Sequence, residues 1–177
     1  MSEQSLTPPI SLERLNSEAV DRLLPVCGGF FEHSPWIVEQ ALTRRPFSSL
    51  AAFHAACMET IAAADDRRRV ELIAAHPDLV GRLAREGRLT RESTAEQAAA
   101  GLDRLSGEEA DAFEHYNAAY RERFGFPFVI CARENRKEAI LAAFPRRLQQ
   151  SRAAEIETAI EQIGQIAWLR MQDAITP

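Results

Sequence analysis

The stretch "FPFVICA" (Phe126 to Ala132) decides the fold. It is dense in aromatic and β-branched residues, and it is the only segment of the chain that reads as a strand. One strand cannot make a sheet, so the segment is expected to be a buried extended connector. The chain on either side of it has helical spacing. In "SGEEADAFEHYNAAYRERFG" (Ser106 to Gly125), Phe113, Tyr116, Tyr120 and Phe124 fall on one stripe, and Gly125 ends it. "RKEAILAAFPRRL" is a short helix, and a last helix is predicted from about Ser151 to Ala174.

Working back toward the N-terminus, "SLERLNSEAVDRLLPVC" has helical spacing that ends near Pro25 and the Gly28-Gly29 pair. "HSPWIVEQAL" opens with Ser34 as N-cap and Pro35 at the first helical position. "SSLAAFHAACMETIAAADD" puts Leu50, Phe53, Cys57, Ile61 and Ala64 on one face. "RRRVELIAAH" is a helix that Pro77 stops, and "RESTAEQAAAGL" opens another. The expectation is a single all-α domain over residues 11–175, with about seven or eight helices, preceded by a loose segment over residues 1–10.

Composition narrows the function. The chain has 177 residues, enough for a real core, and a formal net charge of -5. That balance argues against a general nucleic-acid binder. Cys27, Cys57 and Cys131 are far apart and odd in number, which fits a reducing compartment rather than a disulfide framework or a metal site. "MSEQSLTPPI" lacks the pattern of a secretory signal, no apolar run approaches the roughly 20 residues of a membrane helix, and "AITP" is no peroxisomal address. A cytoplasmic protein without membrane or nucleic-acid partners is expected. Glu32, His33 and Trp36 in "FEHSPW" read as a helix start with a packed indole, His54 and His115 lie on helices without ligand partners at matching spacing, and no metal is expected. There is no phosphate loop and no nucleophile elbow.

Three places hold candidate chemistry. In "LIAAHPDLVGRLA", His76 stands at a helix end next to Pro77 and Asp78. It is either a cap on the last carbonyls, favoured by the helix dipole when protonated, or an acid–base group held where the chain turns, with Asp78 close enough to orient it. In "ESTAEQ", Ser93-Thr94-Ala95-Glu96 matches a capping box, and Gln97 follows. Glu96 either satisfies the Ser93 backbone or, if it meets His76, raises the imidazole pKa. In the last helix Ile156, Ile160, Ile163, Ala167, Arg170 and Ala174 share a stripe, so Arg170 lies on an apolar face. An arginine there needs either a protein carboxylate or a ligand anion, which its planar fork grips bidentately.

Together and in this order, these motifs resemble the family of 2-oxo-4-hydroxy-4-carboxy-5-ureidoimidazoline (OHCU) decarboxylases of urate breakdown. The resemblance runs from "LERLN" through "FEHSPWIVEQA", "RPFSSL", "LIAAHPDL", "STAEQAAAGLDRL", "FEHYNAAYRERFGFPFVICAR" and "RKEAIL" to "RRLQQSRAAEIETAIEQIGQIAWLRM". It implies an all-α enzyme, without cofactor or metal, that is a homodimer and removes carbon dioxide from OHCU to give S-allantoin. It implies that His76 is the catalytic histidine and Glu96 its acidic partner. It makes Ser93, Gln97 and Arg170 substrate-binding groups, and Pro77 part of the pocket wall. The connector, from Phe128 through Val129, Ile130 and Cys131 to Ala132, would offer backbone groups to the imidazoline ring. Three other readings stand beside it. One is a helical ligand-binding or partner-binding module in which Arg170 holds an anion or closes a salt bridge. Another is a different enzyme acting on a related ureido or imidazolone compound on the same scaffold. A third is a metal-dependent hydrolase that uses some of the four histidines.

Overall fold

The computed structural model describes residues 7–81, 84 and 86–177. Among these the regular structure is almost all helix. The helices are α1 (Leu12–Ser17), α2 (Val20–Cys27), α3 (Trp36–Leu42), α4 (Leu50–Ala62), α5 (Asp66–Ala74), α6 (Arg91–Ala99), α7 (Gly107–Phe124), α8 (Lys137–Arg147) and α9 (Arg152–Ala174). The all-α expectation holds. The first predicted helix is two, because Glu18 and Ala19 take extended torsions (ψ 155° and 144°) between α1 and α2. The second of them, α2, carries Pro25 inside it and ends at Cys27 with Gly28 as its C-cap, at the glycine pair where the end was expected. Residues 1–6 of the segment expected to be loose lie outside the described residues.

Local chemistry explains the helix starts. Ser11 and Ser49 accept hydrogen bonds from the N–H groups of Arg14 (3.2 Å) and Ala52 (3.1 Å), capping α1 and α4. A complete capping box opens α7: Glu109 N–H donates to Ser106 Oγ, and Ser106 N–H donates to the Glu109 carboxylate. Gly125 ends α7 in the left-handed region (φ 80°), which a residue without Cβ adopts at little cost. Pro35 already has helical torsions, and α3 begins at Trp36.

The chain divides into two compact units. The first comprises residues 1–72 and 164–177. Its core includes Leu15, Leu23, Phe31, Ile37, Phe53 and Met171. Ile10–Ser11 (β1) pairs in parallel with Ile175–Thr176 (β2), a two-residue ladder that no alternation in the sequence announces. His54 meets the Gly164 carbonyl at 2.9 Å and the edge of Trp168, which accounts for that ring structurally.

The second unit comprises residues 73–163. Its core is aromatic. Phe128 stacks on Phe144 with centroids 3.9 Å apart, and Tyr120 meets Phe124, Phe126 and Phe128 edge-on or tilted. The connector has no strand pairing, as expected. Residues 127–131 are neither helix nor strand, Cys131 is extended (φ −68°, ψ 96°), and a 3-10 turn, Ala132–Glu134, follows. Among the described residues no helix is long and apolar enough to cross a membrane.

Candidate active site

Helix α5 ends at Ala74, two residues before His76, and the imidazole follows in a bend whose backbone N–H donates to Ile73 O at 3.1 Å. His76 is 7 % exposed, so the ring is enclosed rather than a solvated cap. Asp78 does not serve it. Arg121 Nε on α7 donates to both Asp78 oxygens, each at 2.9 Å, so the expected Asp78–His76 pairing gives way to a charge-assisted pair of fixed geometry.

The residues after Asp78 turn sharply. Gly81 N–H donates to Asp78 O at 3.2 Å, closing a β-turn. Val80, third in that turn, has φ 55°. A β-branched residue in the left-handed region is strained, and such strain persists only where neighbours hold it. Two do. Val80 N–H donates to Gln97 Oε1 at 3.1 Å, and Asn117 Nδ2 on α7 donates to Leu79 O at 2.8 Å. Gln97 therefore ties the His76 loop to α6.

On α6 the predicted cap is displaced. Thr90 is the N-cap, with extended torsions (φ −60°, ψ 159°), and its side chain accepts from Ser93 N–H at 3.2 Å. Ser93 lies inside the helix, so the Ser93–Glu96 capping box does not form, and Glu96 sits beyond the first turn. The correction matters, because it removes the capping explanation for both side chains. Ser93 and Gln97, one turn apart, are both buried on the same face, with Glu96 beside them. A helix whose buried face is polar is arranged to meet something polar.

The connector reaches this face. Lys137 N–H donates to Ala100 O at 3.1 Å, holding the chain after the 3-10 turn against the end of α6. Burial, then the charges of Glu134 and Glu96, push the Cys131 thiol up, which places the Glu96 carboxylate within electrostatic reach of Cys131. Phe128, Val129, Cys131 and Ala132 are buried and Ile130 is half-buried. Several of the connector's backbone groups are already used. Val129 O accepts from Arg147 Nη1 (2.5 Å), Cys131 N–H donates to Gln162 Oε1 (2.9 Å), and Cys131 O accepts from Asn135 Nδ2 (2.9 Å). Among the described residues, none accepts from the N–H of Val129 or Ile130.

Arg170 belongs to the other unit. It is 6 % exposed, as its place on the apolar stripe predicts. Its Nη1 donates to Gly29 O and to Glu32 Oε2, both at 2.9 Å, and Glu32 is 3 % exposed. The protein-carboxylate reading of Arg170 is thus realised, by a glutamate that the sequence made part of an ordinary helix start. The loop before α3 is strained at His33 (φ 49°), next to that glutamate. Among the described residues no group of three or more His, Cys, Asp or Glu is arranged to hold a metal ion.

Sequence reasoning also missed Asn117 and Gln162. Asn117 leaves a trace: it lies one turn from Phe113 and nearly one from Tyr120 on an otherwise apolar stripe, and a polar residue there signals a buried partner. Gln162 leaves none.

Comparison with known proteins agrees with the resemblance. Residues 16–172 match the OHCU decarboxylase family. The chain is 38 % identical to the 2-oxo-4-hydroxy-4-carboxy-5-ureidoimidazoline decarboxylase of Haloferax volcanii, over 93 % of this chain and 95 % of that one. It is 37 % identical to the protein of the same name from Amia calva, over 94 % and 95 %. Among solved structures, a crystal structure of (S)-allantoin synthase superposes with a TM-score of 0.76 at 27 % identity, covering 95 % of this chain. This chain spans only 54 % of that one. An OHCU decarboxylase crystallised in the presence of (S)-allantoin shares the fold, with a TM-score of 0.65 at 22 % identity, over 85 % of this chain and 94 % of that one.

Proposed function

The chain belongs to the OHCU decarboxylase family, and on that premise we propose that it releases carbon dioxide from OHCU to give S-allantoin, with His76 and Glu96 at the centre of the reaction. It is a carboxy-lyase of urate degradation. The observation that carries the assignment of residues is the Gln97–Val80 hydrogen bond, which joins the buried His76 loop to the buried polar face of α6.

OHCU bears a carboxylate and a hydroxyl on one ring carbon. When the carbon–carboxylate bond breaks, its electron pair passes into the adjoining unsaturated ring, so the substrate is its own electron sink. A proton must then be added to one face only. In our reading His76, held by Glu96, hydrogen-bonds the hydroxyl and acts as the acid or base. Its enclosure excludes competing water and strengthens that bond. Ser93 and Gln97 fix polar edges of the ring and ureido group, and Pro77 shapes the wall. Over Phe128 to Ala132 the backbone takes the ring; the Val129 and Ile130 N–H groups, which no described residue accepts, are its available donors.

Arg170 grips the substrate through its planar fork. The Glu32 and Gly29 contacts fix the orientation of that fork before substrate arrives. We assign the enzyme to a reducing cytoplasm, which its three free buried cysteines suit, and to a homodimer, as the resemblance implies.

The test follows circular dichroism while OHCU, freshly generated from urate by the two upstream enzymes, meets the purified protein. Rapid appearance of S-allantoin with wild type but not with His76→Ala is the expected result. No change of the trace with either protein removes the decarboxylase reading and favours a binding module.

A further inference from the structure

The second unit contains a buried ionic cluster that the proposed chemistry does not use. Glu155, at the start of α9, is 0 % exposed, and Arg147, at the end of α8, is 7 % exposed. Arg147 Nε donates to Glu155 Oε1 at 2.6 Å, Arg147 Nη2 lies against the same oxygen, and Tyr120 Oη on α7 donates to it too. Burial and the Glu155 contact push the Tyr120 phenol up, so the hydroxyl stays protonated and remains a donor. The guanidinium lies 4.3 Å over the Phe128 ring.

Stability alone gives little reason for this arrangement, since a buried ion pair is often replaceable by apolar side chains of similar volume. Geometry gives a better one. With one side of its fork on Glu155, Arg147 donates Nη1 to Val129 O at 2.5 Å. Val129 C=O and Ile130 N–H belong to one peptide plane, and in a trans plane they point in opposite directions. Holding the carbonyl toward Arg147 therefore aims the Ile130 N–H away from it. The next plane is held as well, by Gln162 on Cys131 N–H. Phe128 stacks on Phe144 and lies against the guanidinium, two contacts that hold its ring at the start of this stretch.

We infer that Arg147, anchored by Glu155 and Tyr120, is a positioning residue that aims the Ile130 N–H at the OHCU ring. The inference rests on the proposed role of the connector. It adds that affinity for the ureidoimidazoline ring is set from behind the site by a fork that touches no substrate. A lysine cannot replace it, because a point charge cannot hold Glu155 and Val129 O in a fixed mutual geometry.

The experiment compares wild type, Arg147→Lys, Tyr120→Phe and, as a control, Ile140→Val, a core change on α8 away from the cluster. Each is checked for folding, then assayed for kcat and KM on fresh OHCU, and the amide shift of Ile130 is read by NMR in the ligand-free protein. Arg147→Lys is expected to raise KM about tenfold with kcat within about threefold, and to move the Ile130 amide. Ile140→Val moves neither. A folded Arg147→Lys with wild-type KM overturns the inference, as does an equal rise of KM in Ile140→Val. Should the lysine variant not fold, Tyr120→Phe decides: an unchanged KM and Ile130 amide overturn it. If wild type does not turn over OHCU while Arg147→Lys still moves the Ile130 amide, the positioning of that N–H stands and the substrate assignment falls, so the two failures are distinguishable.

Discussion

Gln97 accepts a hydrogen bond from the backbone N–H of Val80 at 3.1 Å, and that bond holds a β-branched residue at φ 55° four positions after His76. The strain and the hydrogen bond explain each other. Without the acceptor the left-handed turn loses one of the two hydrogen bonds that hold it, the other being Asn117 on Leu79 O, and without the turn the peptide N–H does not face α6. Gln97→Leu leaves a part-buried N–H without its acceptor, a cost of about 1 kcal/mol. Chemical denaturation measures that loss, and turnover is expected to fall with it because the His76 loop moves. Val80→Asn keeps the N–H and suits the left-handed region, so it is expected to raise stability by up to about 1 kcal/mol. A destabilised Val80→Asn protein counts against strain at this position.

His76 is the residue whose loss should be felt in the product's handedness. His76→Ala and His76→Asn are expected to keep the helical spectrum and to lower formation of S-allantoin by roughly 10²–10⁴-fold, the span that acid–base groups supply. Uncatalysed decay of OHCU gives racemic allantoin, so optical activity is the informative readout. Near-normal chiral turnover in either variant would sink the role.

The displaced cap makes a contrast between two neighbouring hydroxyls. Thr90→Ala removes the N-cap of α6 and should cost about 1 kcal/mol while activity survives. Ser93→Ala removes a buried hydroxyl from the face proposed to meet substrate, so KM should rise with little change in helix stability. The reverse pattern, with Ser93 behaving as the cap, contradicts the geometry of α6.

Arg170 and Glu32 form a buried pair, and breaking such a pair by removing one partner costs about 3–5 kcal/mol. Glu32→Ala is expected to lower the denaturation midpoint strongly. The double replacement Glu32→Gln with Arg170→Met should recover much of that stability but not the affinity for OHCU. Arg170→Lys should raise KM, since an ammonium cannot form the fork. An unchanged KM for that variant would leave Arg170 a purely structural residue.

The buried thiols set the alkaline limit. Burial pushes the Cys27 thiol from its ordinary 9.0 up to about 12, and burial with the neighbouring Cys27 raises Cys57 further. The unfolded chain loses these protons near pH 9 while the folded chain keeps them. Stability is therefore fully present below 9.0 and falls as pH rises toward about 12. Each such thiol contributes a slope of about 1.4 kcal/mol per pH unit in that window. Cys27→Ala should flatten the dependence by that amount, measured as unfolding free energy between pH 9 and pH 11, and an unaltered slope refutes the assignment.

Much of the protein was determined by its sequence alone, and the reason is locality. Helix formation and burial follow from spacing within a few turns. The Phe113–Tyr120–Phe124 stripe, the burial of Arg170 and the buried, unpaired connector were all legible for that reason. His76 was legible as a residue held where the chain turns, because Pro77 restricts the residue before it. Membership of the family was legible because its motifs are contiguous strings.

Tertiary structure alone decided who pairs with whom. Thr90 and Ser93 both satisfy a local capping pattern. What separates them is that the Thr90 backbone is extended while Ser93 is buried inside α6. Asp78 is near His76 in sequence yet pairs with Arg121, 43 residues away, and Arg170 finds Glu32 across 138. Buried charges and amides take the partner that packing brings within hydrogen-bond distance, and sequence separation carries no information about that distance. The Arg147–Glu155–Tyr120 cluster, drawn from three helices to hold one carbonyl of the connector, is visible only there for the same reason.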